Sequence, residues 1–292
     1  MSRPAFRFAC AAALAASTTA ACTDPEPTAP VVDSGAYHTY VQTGWELPTT
    51  QDQARDLGFD VDDDGMPDNQ GGALVSALGG IGLDLTGASA TAFASGDVVT
   101  LHRLRADALT DDDSVSWEVL VGQARTTPPR FDGSETFAIA GSGGALVGAI
   151  GDGHLAAADG TIVIRVPFFP GQHPVPLPLT GAQLEVDLSN GGCRGRIGGV
   201  LRASDRDLTV LPIVAEQAIG HMAAHPEHRF TVTAIEVFDR DHDGAVTAAE
   251  ITRMATSVFV LDVDLDADDQ ADGMSIALGF TCAPATAVTL NP

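Results

Sequence analysis

Apolar residues follow two different periods along this chain. From Asp97 onward they alternate with polar ones. Val98-Val99-Thr100-Leu101-His102, Trp117-Glu118-Val119-Leu120-Val121, Thr136-Phe137-Ala138-Ile139, Ala145-Leu146-Val147, Thr161-Ile162-Val163-Ile164-Arg165-Val166 and Leu184-Glu185-Val186-Asp187-Leu188 are short and rich in β-branched residues, as strands with one buried face require. Asp152-Gly153, Asp159-Gly160 and Asn190-Gly191 fall between or beside them as two-residue hairpin signals, because glycine accepts the positive φ of the primed turns. Pro167 to Pro178 is expected to be an exposed loop, since proline donates nothing to a sheet ladder. The other period is helical. Leu74, Leu78 and Ile81 recur at helical spacing after a cap at Asp68 or Asn69, against the glycine pairs at 71–72 and 79–80. Further helices are expected over about Ser204 to Ala224 and Thr247 to Phe259, with a last strand over Met274 to Phe280. The pattern predicts an α+β fold: an antiparallel β-meander, as a sandwich or half-barrel, with a few helices.

The N-terminus follows neither period. Arg3 and Arg7 precede an apolar stretch, Phe8 to Ala16, too short to span a bilayer, and small residues lead to Ala21. Residues 1–21 therefore read as a secretory signal. Thr19-Ala20-Ala21-Cys22 resembles a bacterial lipobox, with Thr19 where the pattern usually has Leu, and this resemblance implies that Cys22 carries lipid. Residues 22–40 are expected to be a polar, proline-rich tether, and 41–292 a single domain. Of the four cysteines, Cys10 leaves with the signal and Cys22 takes the lipid, so Cys193 and Cys282 remain as an even pair in an oxidising compartment. A disulfide is expected there. Two buried free thiols remain the alternative, because spacing alone shows no proximity.

Composition sharpens this picture. With 45% hydrophobic residues the chain can bury a core, while 31 Gly and 17 Pro favour many short elements. The formal charge of −24 comes from 39 acidic and 15 basic residues, every basic one being Arg. Such a surface repels nucleic acid and anionic lipid and attracts cations, so nucleic acid is excluded as a partner.

The acids are not evenly spread. Asp239-Arg240-Asp241-His242-Asp243-Gly244-Ala245-Val246-Thr247-Ala248-Ala249-Glu250 places oxygen at every position from which a 12-residue loop ligates calcium: Asp239, Asp241, Asp243, the Ala245 carbonyl, Thr247 directly or through water, and both oxygens of Glu250. Gly244 stands at the sharp turn, and Thr247 with Glu250 fits a capping box. Ile251, Met254, Ala255, Val258 and Phe259 then form one apolar stripe. The segment 230–259 thus resembles an EF-hand, although Thr231, Val232 and Thr233 favour strand over the incoming helix that the family requires. The competing reading is an acidic turn that binds nothing. His242 falls at a non-ligand position.

Two further loops repeat part of the spacing. Asp60, Asp62, Asp64, the Met66 carbonyl and Asp68 stand at positions 1, 3, 5, 7 and 9, with Gly65 at 6 and no acid at 12. Asp264, Asp266, Asp268 and Asp272 match it, with Asp269 in place of the glycine. These resemble the calcium repeats of thrombospondins and the half-loop of dockerins, which implies that missing ligands come from elsewhere in the fold; solvated acidic loops are the alternative. With the lipid signal, the Gly-rich hairpins and the closing Gly279-Phe280-Thr281-Cys282-Ala283-Pro284, the layout resembles a group of predicted lipoproteins from GC-rich soil bacteria, a likeness that implies no activity.

Weaker signals carry less. His221, His225 and His228 at i, i+4 and i+7 could turn imidazoles to one side, but Pro226 interrupts the helix and no Glu follows His221. Asp33-Ser34-Gly35 matches an aspartic-protease triplet without the second copy that the chemistry needs, and Asp111-Asp112-Asp113 reads as a hairpin tip. No phosphate loop, nucleophile elbow or dinucleotide fingerprint is present. The expectation is an exported calcium-binding lipoprotein, not an enzyme, held at the outer membrane by its lipid on the periplasmic or outer side, or secreted if Cys22 is unmodified. Calcium is its cofactor, mainly structural, and its partner is a cell-surface protein or polysaccharide; a periplasmic carrier of an apolar ligand is the alternative.

Overall fold

Alternating apolar positions build eight long strands: β1 (Ala36–Glu46), β2 (Thr100–Ala106), β3 (Asp112–Gln123), β4 (Thr136–Gly151), β5 (His154–Val166), β6 (Val175–Asp187), β7 (Cys193–Arg202) and β8 (Gly273–Pro284). Each pairs antiparallel with the next, and β8 returns to pair with β1. The sheet therefore closes into an eight-stranded antiparallel barrel in this computed structural model. It describes residues 35–62, 64–188, 191–266 and 268–289; the expected signal segment and Cys22 lie outside them. A short β9 (Thr286–Thr289) runs parallel to the start of β4.

Closure corrects the expected open α+β meander, sandwich or half-barrel. The strands that close it, β1 and β7, flank β8, and only β1, with Tyr37, Thr39, Tyr40, Val41, Thr43 and Trp45, is rich in strand formers. β7 (Cys-Arg-Gly-Arg-Ile-Gly-Gly-Val-Leu-Arg) is poor in strand formers, yet its glycines are what the packing demands: a Cβ on Gly195 would come within 2.1 Å of the Glu185 carbonyl oxygen. β1 begins at Ala36, inside the segment expected as tether. Two local expectations also change. Asp159-Gly160 is no hairpin but a bulge within β5, spending the same positive φ (60° at Asp159) on a register shift against β6. Val175 to Pro178, the end of the expected loop, belongs to β6; β7 pairs with β6 only from Thr180 onward, so Pro176 and Pro178 sit where one edge is open.

The barrel is filled. Trp117, Leu104, Leu146, Leu155, Ile162, Leu179, Leu184, Ile197 and Phe280 are all under 2% exposed, as expected when eight strands leave room only for side chains. Among them lies His102, whose Nδ1 accepts the Trp117 indole N–H at 3.2 Å and whose Nε2 faces Gln42 Oε1 at 3.4 Å. Burial pushes this imidazole down to about 3, so it is neutral. Cys193 and Cys282 stand opposite one another in the β7–β8 ladder, Cα atoms 4.9 Å apart, and form a disulfide.

Up-and-down order sends alternate connections to opposite ends. At one end the turns are tight. At the other lie the long connections, which carry every helix among the described residues: α1 (Gln51–Leu57), α2 (Gln70–Gly80) and α3 (Leu85–Ser95) between β1 and β2, and α4 (Ala203–Asp205), a π-helical stretch Arg206–Val210, α5 (Leu211–Ala224), α6 (Arg229–Phe238) and α7 (Ala248–Val258) between β7 and β8. The three Asp-rich loops all fall within these two connections.

Candidate metal centres

Asp239 to Glu250 links α6 to α7, the helix–loop–helix frame that the motif needs. The incoming helix forms despite its β-branched residues, because tertiary contacts outweigh propensity: Phe230, Thr231 and Ala234 are buried, and Thr231 Oγ1 donates to the His225 carbonyl at 2.7 Å. The capping box forms as expected, with Glu250 N–H donating to Thr247 Oγ1 and Thr247 N–H donating to Glu250 Oε2 at 2.9 Å.

All three loops share one hydrogen-bond plan. The first aspartate accepts the N–H of the sixth residue: Gly65 to Asp60 at 3.0 Å, Gly244 to Asp239 at 2.9 Å, Asp269 to Asp264 at 2.7 Å. The fifth accepts the N–H of the seventh: Met66 to Asp64, Ala245 to Asp243, Gln270 to Asp268. The last acid accepts the N–H of the second residue: Val61 to Asp68 at 3.3 Å, Leu265 to Asp272 at 2.9 Å, Arg240 to Glu250 at 2.9 Å. Asp68 and Asp272, at position 9, thus take the place that Glu250 takes from position 12. The sixth residue has a positive φ in every loop, 85° at Gly65, 87° at Gly244 and 66° at Asp269.

This plan turns carboxylates toward one another. Oxygens of Asp60, Asp62 and Asp68 lie within 4.8 Å of each other, as do those of Asp239, Asp241 and Glu250, and those of Asp264, Asp266 and Asp268. Asp64, Asp243 and Asp272 are engaged in the loop hydrogen bonds and stand outside these trios; Thr247 is spent on the cap, and Met66 and Ala245 offer only carbonyls. Asp239 is 7% exposed, and Asp60 Oδ1 is shut away from solvent with no hydrogen-bond partner. The N–H groups of Thr247 and Arg240 hold the Glu250 carboxyl down at about 2, so it is ionised. Elsewhere charge accumulates: burial, then the carboxylates of Asp62, Asp262 and Asp64, push Asp68 up to about 6, and Asp268 raises Asp266.

Asp262, outside the expected ligand set, faces the first loop. Its carboxylate takes both the N–H and the hydroxyl of Ser275, whose Oγ also accepts the Gln70 N–H. Asn69 ties the same loop to β8, accepting the N–H of Gly72 and Ala277 and donating to the carbonyls of Ala54 and Ala277. The loops at 60–68 and 264–272 are therefore neighbours braced on one strand. The alternation Asp262-Val263-Asp264-Leu265-Asp266 was the signal for Asp262, one repeat before the loop spacing begins.

The apolar stripe that starts in α7 is buried at Ile251 and Phe259, half-buried at Met254 and Ala255, and exposed at Val258. Ile251, Met254, Ala255, Val258 and Phe259, with Phe230 and Phe238 of α6, line a wholly apolar cavity of about 70 Å³. That is well below the roughly 300 Å³ of an ordinary ligand site. No family model, curated protein or solved structure matches the chain.

Proposed function

We propose that this protein is an exported calcium-binding lipoprotein in which calcium, held by loops 60–68, 239–250 and 264–272, sets the helical end of the barrel as a rigid surface for a partner outside the cytoplasm. One observation carries the calcium reading: three loops of different sequence share a hydrogen-bond plan that gathers carboxylates around a point and leaves Asp60 Oδ1, buried, with nothing to bind. Grouped anions repel unless a cation joins them, and six to eight oxygens at about 2.4 Å suit calcium. The long connections supply a display surface, and Cys22 would supply the anchor. A carrier of apolar ligands is not favoured, because the barrel is filled by its own side chains and the one wholly apolar cavity described is small.

Calorimetry on the purified mature chain tests this. Calcium should give saturable heat that shrinks by one site in each of Asp60→Asn, Asp239→Asn and Asp264→Asn. Absence of heat from the wild-type protein would overturn the reading.

A further inference from the structure

Three histidines lie together at the junction of α5 and α6, apart from the acidic loops. His221 is on the last turn of α5, His225 is its C-cap, with its N–H donating to the His221 carbonyl at 2.9 Å, and His228 is the N-cap of α6. The Pro226 break that spoils helical spacing in the sequence folds the chain back, so that the ring centres of His225 and His228 stand 4.7 and 5.1 Å from that of His221. An ion held by imidazole nitrogens at about 2.0–2.1 Å in a tetrahedral arrangement places ligand ring centres roughly 5 Å apart. Both separations match that spacing.

The cluster is anchored on one side and free on the other. His221 is 9% exposed and packs on Phe169 and Phe230, while His225 and His228 are exposed. The ring nitrogens do not converge on one point as they stand, and ligation would require the exposed rings of His225 and His228 to turn. Ligation asks His228 to give up a long bond, 3.3 Å, from the Phe230 N–H to its Nδ1.

We infer that His221, His225 and His228 form a binding site for a late first-row divalent cation such as zinc or copper. Calcium would not compete, since it takes oxygen ligands, so this site is independent of the calcium loops. The ion would staple the end of α5 to the start of α6, the incoming helix of the 239–250 loop.

Zinc titration of the mature chain by calorimetry, with calcium at saturation to fill the acidic loops, tests this. One zinc per chain should bind at submillimolar concentration. The double variant His225→Ala/His228→Ala changes only exposed side chains; it should bind zinc at least tenfold more weakly while its calcium uptake stays as in the wild type. No zinc uptake by the wild type, or equal uptake by the variant, would sink the proposal, and either result leaves the calcium reading standing.

Discussion

At the level of single residues, two positions depart from what their surroundings would ordinarily choose. His102 sits neutral in the barrel, bound by Trp117 and facing Gln42. The unfolded chain takes up a proton there below about 6.5, whereas the folded one resists until about 3. Stability from this residue is therefore full above pH 6.5 and is lost as pH falls through that window, by up to about 1.4 kcal/mol per pH unit. Urea melts between pH 7 and 5 should show a shallower decline for His102→Gln than for wild type; parallel slopes would count against the assignment. Asp269 holds a φ of 66° where the sister loops use glycine. Asp269→Gly should relieve about 1 kcal/mol and tighten calcium at the third loop, read as a higher melting temperature in calcium.

Among elements, the 239–250 segment is the most self-contained. Glu250 closes the loop through the Arg240 N–H, caps α7 with Thr247, and stands with Asp239 and Asp241 as the third acid of the trio. Glu250→Gln keeps the shape and much of the hydrogen bonding but removes a charge, so calcium affinity at this loop should fall at least tenfold with little change in helicity. A calorimetric isotherm indistinguishable from wild type would mean that the ion sits elsewhere. This loop was legible because every ligand position is filled by the right residue type. Helix α6 was doubtful because Thr231, Val232 and Thr233 argue locally for strand; the burial of Phe230, Thr231 and Ala234 decides otherwise.

For the molecule as a whole, one apolar core runs from the barrel, with Trp117 and Leu146, into the helices, with Leu74, Phe93, Phe230 and Ile251, while the helical end is built from connections that leave the sheet for long stretches. Calcium should matter most there. At 100 times its dissociation constant one ion adds about 2.7 kcal/mol. Stripping it with chelator should lower the melting temperature by roughly 5–10 °C for a chain of this size, and an unchanged melt would contradict the structural role. The Cys193–Cys282 disulfide closes a loop of sequence separation 89 that contains α4 to α7 and two of the acidic loops. Restricting the unfolded chain over that length is worth about 4.5 kcal/mol. Cys193→Ser with Cys282→Ser should lower the urea midpoint accordingly while the barrel's circular dichroism persists at low denaturant.

The strand content, the cysteine pairing and the carboxylate spacing could all be read from the chain, because each depends on neighbours in sequence or on simple counting. Barrel closure could not. It depends on β8 pairing with β1 at the far end of the chain and with β7, whose Gly and Arg positions are poor local strand formers made acceptable by close approach to a strand far away in sequence, as Gly198 is against the Ile276 carbonyl. Nor could the bracing of the first and third acidic loops through Asn69, Asp262 and Ser275, or the gathering of His221, His225 and His228 across a proline. Those arrangements join groups that local sequence leaves unrelated, and only the packing of the connections on one end of a closed barrel brings them together.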